Sequence, residues 1–147
     1  MSKYSDQKIL DMFKDPRSEQ LAFNHIINMY QERTYWHVRK IVISHEDAND
    51  VTQNTFIKVY KNLKKFKGNS KIYTWIYSIA TNESLTFLKK KKSHLFSSID
   101  DVCDNLKNII NSNEYFDGDE AEKKLQNALL EIPTKQRLVF NMRYFDN

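Results

Sequence analysis

The stretch Asp47–Leu63, DANDVTQNTFIKVYKNL, decides the fold. Ala48, Val51, Thr55, Val59 and Leu63 recur at the spacing of one helix face, and Phe56, Ile57 and Tyr60 widen that stripe into an amphipathic helix. Asp47 and Asp50 stand in its first turn and Lys61, Lys64 and Lys65 in its last, each sign where the helix dipole favours it. Beyond it, Lys67-Gly68-Asn69-Ser70 reads as a loop, with Gly68 free to take positive φ and Ser70 placed to cap a further helix from Lys71 into Lys89–Lys92. Before it, Ala22, Phe23, Ile26, Ile27, Met29, Tyr30, Val38, Ile41 and Val42 predict a long helix over 18–44, interrupted at His45–Asp47. A short first helix carries Ile9, Leu10 and Phe13, with Asp6 as its expected N-cap and Pro16 as its end.

Composition agrees with an all-α chain. Of 147 residues only 2 are Gly and 2 Pro, too few for the many tight turns of a sandwich or barrel, while 40% hydrophobic and 29% charged residues exclude wholesale disorder. No stretch approaches the roughly 18 apolar residues that span a bilayer, and the N-terminus lacks a signal-like apolar core, which predicts a cytoplasmic protein. Cys103 is the only cysteine, so no intrachain disulfide forms.

The net charge of +4 hides a segregation. From Lys58 to Lys92 ten Lys face one acid, Glu83; from Ser93 to Glu122 eight acids face Lys107 alone. The first block suits phosphate and the second does not. Ser93–Gly118 also loses the helical period and reads as a linker, with at most a short helical turn around Leu106–Ile110. Ala121, Leu125, Ala128, Leu129 and Ile132 then predict a helix ended by Pro133, and Thr134 is placed to cap another that carries Leu138, Val139 and Met142.

Catalytic signatures are missing: His25, His37, His45 and His94 are scattered, and no nucleophile elbow, zinc-binding His pair or phosphate-cradling glycine loop occurs. His45, Glu46, Asp47 and Asp50 sit at a helix start, where acids serve as caps far more often than as metal ligands, so neither metal nor cofactor is assigned. The chemically informative run is Phe66–Lys92. There Phe66, Tyr73, Trp75 and Tyr77 interleave with Lys64, Lys65, Lys67 and Lys71, a combination that suits unpaired bases stacked on rings beside neutralised phosphates; the alternative is that the rings are core.

Three segments together carry a family resemblance: Asp47–Phe56 (DANDVTQNTF), Phe66–Ser70 (FKGNS) and Thr74–Asn82 (TWIYSIATN). In order and spacing they resemble the second conserved domain of bacterial RNA polymerase sigma factors of the extracytoplasmic-function group. Leu125–Tyr144, with Leu129, Ile132-Pro133, Gln136-Arg137, Val139-Phe140 and Arg143-Tyr144, is similar to the start of the family's fourth domain. The resemblance implies a sigma-2 domain over 1–92, an acidic linker over 93–118 and an incomplete sigma-4 domain over 119–147.

It also implies a mechanism without catalysis. Asp47, Asp50, Gln53 and Phe56 would dock on the clamp helices of the largest subunit of core RNA polymerase, Phe56 being equally well read as core. Lys67, Gly68, Asn69, Ser70 and Lys71, continuing to Ile72, would form the loop that receives a base flipped from the non-template strand of the promoter minus-ten element. Trp75, Tyr77, Ser78 and Asn82 would flank it, and Lys89, Lys90, Lys91 and Lys92 would hold phosphates. The resemblance leaves room for an anti-sigma factor as a further partner. Three departures stand out: Ser78 where many relatives have Arg, Asn49 where an acid is frequent, and an end at Asn147 before the helix-turn-helix that reads the minus-thirty-five element. The rival readings are a single-stranded nucleic-acid module without polymerase, and a truncated decoy that binds a sigma regulator.

Overall fold

The computed structural model describes residues 4–95 and 120–144, with only the helical backbone given for residues 92–95. Its elements are α1 (Asp6–Lys14), α2 (Glu19–Val42), α3 (His45–Asn62), a 3-10 turn (Leu63–Lys65), α4 (Ile72–Leu95), α5 (Glu120–Leu129) and α6 (Thr134–Tyr144). No strand occurs among the described residues, as the all-α reading requires. The helical turn expected around Leu106–Ile110 and most of the acidic linker lie outside the described residues; α4 itself runs three residues past Lys92.

Helices α1 to α4 form one bundle, in which α2 packs against α1, α3 and α4. Ile72, Ile76, Ala80, Ser84 and Leu88 recur every four residues and are all buried, so one unbroken stripe of α4 faces inward. At the start of α4, Ile72 and Ile76 join Ile9, Leu10 and Phe13 of α1, Ala22, Ile26 and Tyr30 of α2, and Phe56, Val59 and Leu63. Further along, Ala80 and Leu88 join Val38, Ile41 and Val42 of α2 and Ala48 and Val51 of α3. Each large apolar side chain so buried contributes about 1.5–3 kcal/mol. Ile57 and Tyr60, expected to widen the inner stripe of α3, instead remain 51% and 41% exposed.

Helix ends show what the sequence left open. Ser5, not Asp6, caps α1, its Oγ accepting the Lys8 amide. Asp6 reaches across the bundle, and its Oδ2 accepts the Ile72 amide at 2.9 Å. That carboxylate therefore caps α4, while the Ser70 hydroxyl donates to the Lys71 carbonyl and takes no part in capping. At the other end of α2 only Ile43 and Ser44 intervene before α3, so the helix starts at His45, earlier than the interruption read at His45–Asp47. Ile43 sits at φ 72°, ψ −52°, a left-handed turn conformation that is costly for a β-branched side chain. Its amide donates to the Arg39 carbonyl at 2.8 Å and its carbonyl accepts Arg39 Nε at 2.9 Å, so the residue is held from both sides.

The second helical pair packs differently from its apolar pattern. Leu129 and Leu130 are buried, but Val139 and Met142 of α6 are exposed, and the residues it buries are Arg137 and Asn141. The Pro133 carbonyl accepts the Arg137 amide, which makes Pro133, rather than Thr134, the first acceptor of α6.

Replacing Asp6 with Ala is expected to destabilise the bundle by about 1 kcal/mol, the usual cost of a lost cap, whereas Ser70→Ala changes stability by less than about 0.5 kcal/mol. Urea unfolding of both variants checks this. The reverse ranking would refute the cross-bundle cap.

Candidate nucleic-acid interface

The loop after α3 is a bend held between two buried anchors. Leu63 and Ile72 are almost fully buried, while Lys67, Gly68, Asn69, Ser70 and Lys71 between them are all exposed. Ile72, included in the expected loop, is thus its anchor and the first residue of α4. Gly68 has φ +76° with nothing within 4 Å of where a Cβ would stand, so backbone conformation, not crowding, is what favours glycine there. Beside the bend, Phe66 packs on the ring of Trp75 at 5.0 Å between centroids, and Trp75 is half-buried.

Helical register brings part of the expected site together. Lys71, Trp75, Ser78, Asn82 and Lys89 fall on one stripe of α4, on the side away from its buried row. Ser78, Asn82 and Lys89 are exposed, as is Lys90 beside them. Ser78 Oγ donates to the Trp75 carbonyl at 2.8 Å, so its hydroxyl is folded back on the helix with its lone pairs outward. Tyr77 does not belong to this stripe. It lies on the α2 side, stacked on the fully buried His37 at 3.7 Å and 22°.

That side carries a ring ladder that sequence reasoning missed. Tyr30 meets Tyr73 at 5.5 Å and Tyr73 meets Tyr77 at 5.6 Å, and the Arg33 guanidinium lies 4.0 Å over the Tyr73 ring. Burial, then the nearby Asp6 charge, pushes the Tyr30 phenol above its ordinary pKa. The ladder ties α2 to α4 and is structural.

Several lysines of the basic block are spoken for. Lys58 pairs with Glu83, Lys64 lies 3.7 Å from Glu19, and Lys91 meets Asp47 at 2.8 Å with both side chains largely buried. Lys91 and Asp47, expected on two different surfaces, thus hold α4 to the first turn of α3. The side chain of Lys92 lies outside the described residues.

A second candidate surface is the groove between α2 and α3, a cavity of about 620 Å³. Asn49, Thr52 and Gln53 line its α3 side; Gln31, Glu32, Tyr35, Trp36 and Arg39 line the other. Arg39 Nη1 donates to the Tyr35 hydroxyl at 2.9 Å, and the same hydroxyl shares a hydrogen bond with His45 Nδ1 at 2.6 Å. Thr52 Oγ1 is buried with no hydrogen-bond partner, and Trp36 is 45% exposed. Of the residues expected to dock, Asp50 and Gln53 are exposed on α3, Gln53 within the groove. Phe56, only 7% exposed, belongs to the core and is removed from the docking surface. The α2 half was missed, although an exposed Trp outside the apolar period of a helix was the signal that pointed to it.

Among the described residues no helix is long and apolar enough to cross a membrane. The sigma-70 region 2 family matches residues 26–94, from the middle of α2 to the end of α4. The chain is similar to the ECF RNA polymerase sigma factor SigW of Bacillus subtilis, 28% identical over 139 residues that cover 88% of this chain and 74% of that protein. It is similar to the ECF RNA polymerase sigma-E factor of Escherichia coli, 29% identical over 150 residues, covering 97% and 77%. The RNA polymerase sigma-H factor of Pseudomonas aeruginosa is 29% identical over 126 residues, covering 86% of this chain and 60% of its own. Helical bundle, motif order and these relatives agree in supporting a factor of the extracytoplasmic-function group of the sigma-70 family.

Proposed function

We propose that this sigma factor acts in transcription initiation by binding core RNA polymerase through the α2–α3 groove and by capturing an unpaired base of the promoter minus-ten element at the 67–71 bend. It has no catalysis of its own and works in the cytoplasm, where it leaves the chemistry to the polymerase. The observation that carries the DNA half is the exposed bend between two buried anchors, continued along α4 by the Lys71, Trp75, Ser78, Asn82 and Lys89 stripe. Pulling a base from its stack costs a few kcal/mol, which a receptor offsets only if it is already formed. Buried Leu63 and Ile72 fix the ends of the bend, the Phe66–Trp75 pair supplies a flat wall, and Asn82 offers both a donor and an acceptor to a base edge. Lys67 and Lys71 at one end of the stripe, and Lys89 and Lys90 at the other, are spaced to hold phosphates on either side.

The polymerase half rests on the groove. Its walls combine hydrogen-bonding side chains with one exposed indole, the mixture of a surface that binds and releases. Asp50 adds negative charge at the α3 edge. In this reading residues up to Leu95 form the sigma-2 unit and α5–α6 the beginning of the sigma-4 unit.

Three outcomes follow from the two surfaces. The Trp75→Phe/Asn82→Ala variant should lower permanganate reactivity of minus-ten thymines roughly tenfold, within the range of about 1–3 kcal/mol per stacked base, with polymerase affinity unchanged; undiminished reactivity removes the bend from the mechanism. Trp36→Ala and Gln53→Ala, assayed by pull-down and by titration of labelled protein into core polymerase, should each weaken the complex several-fold, and full binding by both would place docking elsewhere. Changing Lys89 and Lys90 to Gln should make the salt dependence of single-strand binding shallower by about 0.7 per lysine, while Lys91→Gln, whose ammonium already serves Asp47, changes it less.

A further inference from the structure

The 67–71 bend is held at both of its ends by one short helix, α1. Upstream of the bend, the 3-10 turn packs on α1: Leu63 shares a buried cluster with Phe13, and the Lys64 ammonium lies 5.9 Å over the Phe13 ring. Downstream, Ile72 lies in the same cluster as Ile9 and Leu10, and its amide donates to Asp6 Oδ2 at 2.9 Å. Asp6 and Phe13 are about two helical turns apart, so the start of α1 serves the downstream anchor and its end serves the upstream one.

The Asp6 contact is the one that reaches the stripe on α4. A helix begins with amides that have no acceptor in the helix itself, and the Ile72 amide is the first of these after the exposed run Lys67–Lys71. Next to it, the Lys71 carbonyl accepts the Trp75 amide at 3.2 Å and the Ser70 hydroxyl at 3.3 Å. Lys71 and Trp75 are therefore fixed by the first turn of α4, the turn that Asp6 caps. The carboxylate is seated against that turn from a second side as well. Burial, and after it the Asp6 charge, raises the pKa of the Tyr30 phenol, and the Tyr30 ring meets Tyr73 at 5.5 Å. Gly68, at φ 76°, has the widest backbone freedom in the bend, so order there has to come from the two ends.

We infer that Asp6 is a positioning residue for minus-ten recognition: by holding the Ile72 amide it keeps the first turn of α4 wound, and so keeps Lys71 and Trp75 in register with Phe66 across the bend before a base arrives. This rests on the function proposed above. The reason is energetic. Extruding a base already costs its stacking, and a bend that ordered itself only on binding would add its own conformational entropy to that cost. What the contact requires is a hydrogen-bond acceptor at position 6, so Asn serves there and Ala does not.

The test compares the unaltered chain with Asp6→Ala, Asp6→Asn and Val38→Ala, the last of which loosens the other core cluster and leaves the ends of the bend alone. Each is assembled with core polymerase, at a temperature where circular dichroism shows all four fully folded. The probe is a labelled single-stranded oligonucleotide that carries the minus-ten element of a promoter transcribed by the unaltered chain, with a scrambled strand beside it. Asp6→Ala should bind the minus-ten strand at least fivefold more weakly, Asp6→Asn within twofold of the unaltered chain, and Val38→Ala equally well. In the free proteins, amide exchange at Ile72, Tyr73 and Thr74 should rise at least tenfold relative to α2 in Asp6→Ala alone. Equal weakening by Asp6→Ala and Val38→Ala reduces Asp6 to a general stability contact and overturns the inference, as does an Asp6→Asn variant as weak as Asp6→Ala. If the unaltered complex fails to prefer the minus-ten strand, the functional reading falls and the positioning role falls with it, while the exchange pattern still decides whether Asp6 holds the bend.

Discussion

Everything in the bundle depends on the four-residue row of α4. Ile72 and Ile76 fill one half of the interior and Ala80 and Leu88 the other, so α4 runs through both core clusters alongside α2 and α3. The row narrows in the middle, where Ala80 and Ser84 let α4 lie close to its neighbours; Ser84 satisfies its hydroxyl on the Ala80 carbonyl at 2.7 Å, so its burial leaves no polar atom stranded. Fixing that row fixes the opposite one. The outward stripe from Lys71 to Lys89 is presented to solvent because the inward stripe has nowhere else to go, and the bend before it inherits its position from the buried Ile72.

This coupling explains what sequence could and could not convey. The α3 row and the bend were legible, because helical spacing and a glycine at positive φ are local properties. The Asp6 cap on Ile72 was not, since it joins residues 66 positions apart and depends on how α1 crosses α4. Tyr77 was read as part of the nucleic-acid face because it is aromatic and near lysines. Its side of the helix, and the buried His37 waiting there, are tertiary facts. The same holds for Phe56, where an apolar residue of a docking motif is also a core position at helical spacing. On α6 the rule that apolar means inside gave the wrong face, because Arg137 and Asn141 are recruited by backbone carbonyls of another helix, a demand that no hydrophobic pattern records.

Charge segregation along the chain also reads differently once folded. Ten lysines in the block suggested one continuous phosphate-facing surface, yet Lys58, Lys64 and Lys91 reach acids from other elements. The two pairs with exposed lysines, those of Lys58 and Lys64, contribute about 0–1 kcal/mol each, so their effect on stability is small. Along α4 itself the exposed charge stands at the two ends of the outward stripe, Lys67 and Lys71 at one and Lys89 and Lys90 at the other, with neutral hydrogen-bonding residues between. That distribution suits a strand laid along the helix: phosphates positioned at the ends, bases read in the middle.

The α2–α3 corner shows why such a chain tolerates strain. Two residues must reverse the chain direction between long helices, and Ile43 takes a left-handed φ that costs about 1–3 kcal/mol for a residue of its kind. Glycine would remove that cost but would also remove a side chain that is 3% exposed. Arg39 resolves the conflict by binding the Ile43 carbonyl with one nitrogen and the Tyr35 hydroxyl with another, so the strained turn, the groove wall and the His45 imidazole belong to one hydrogen-bonded unit. The sharpest turn of the bundle is therefore braced by the same side chains that form the groove wall.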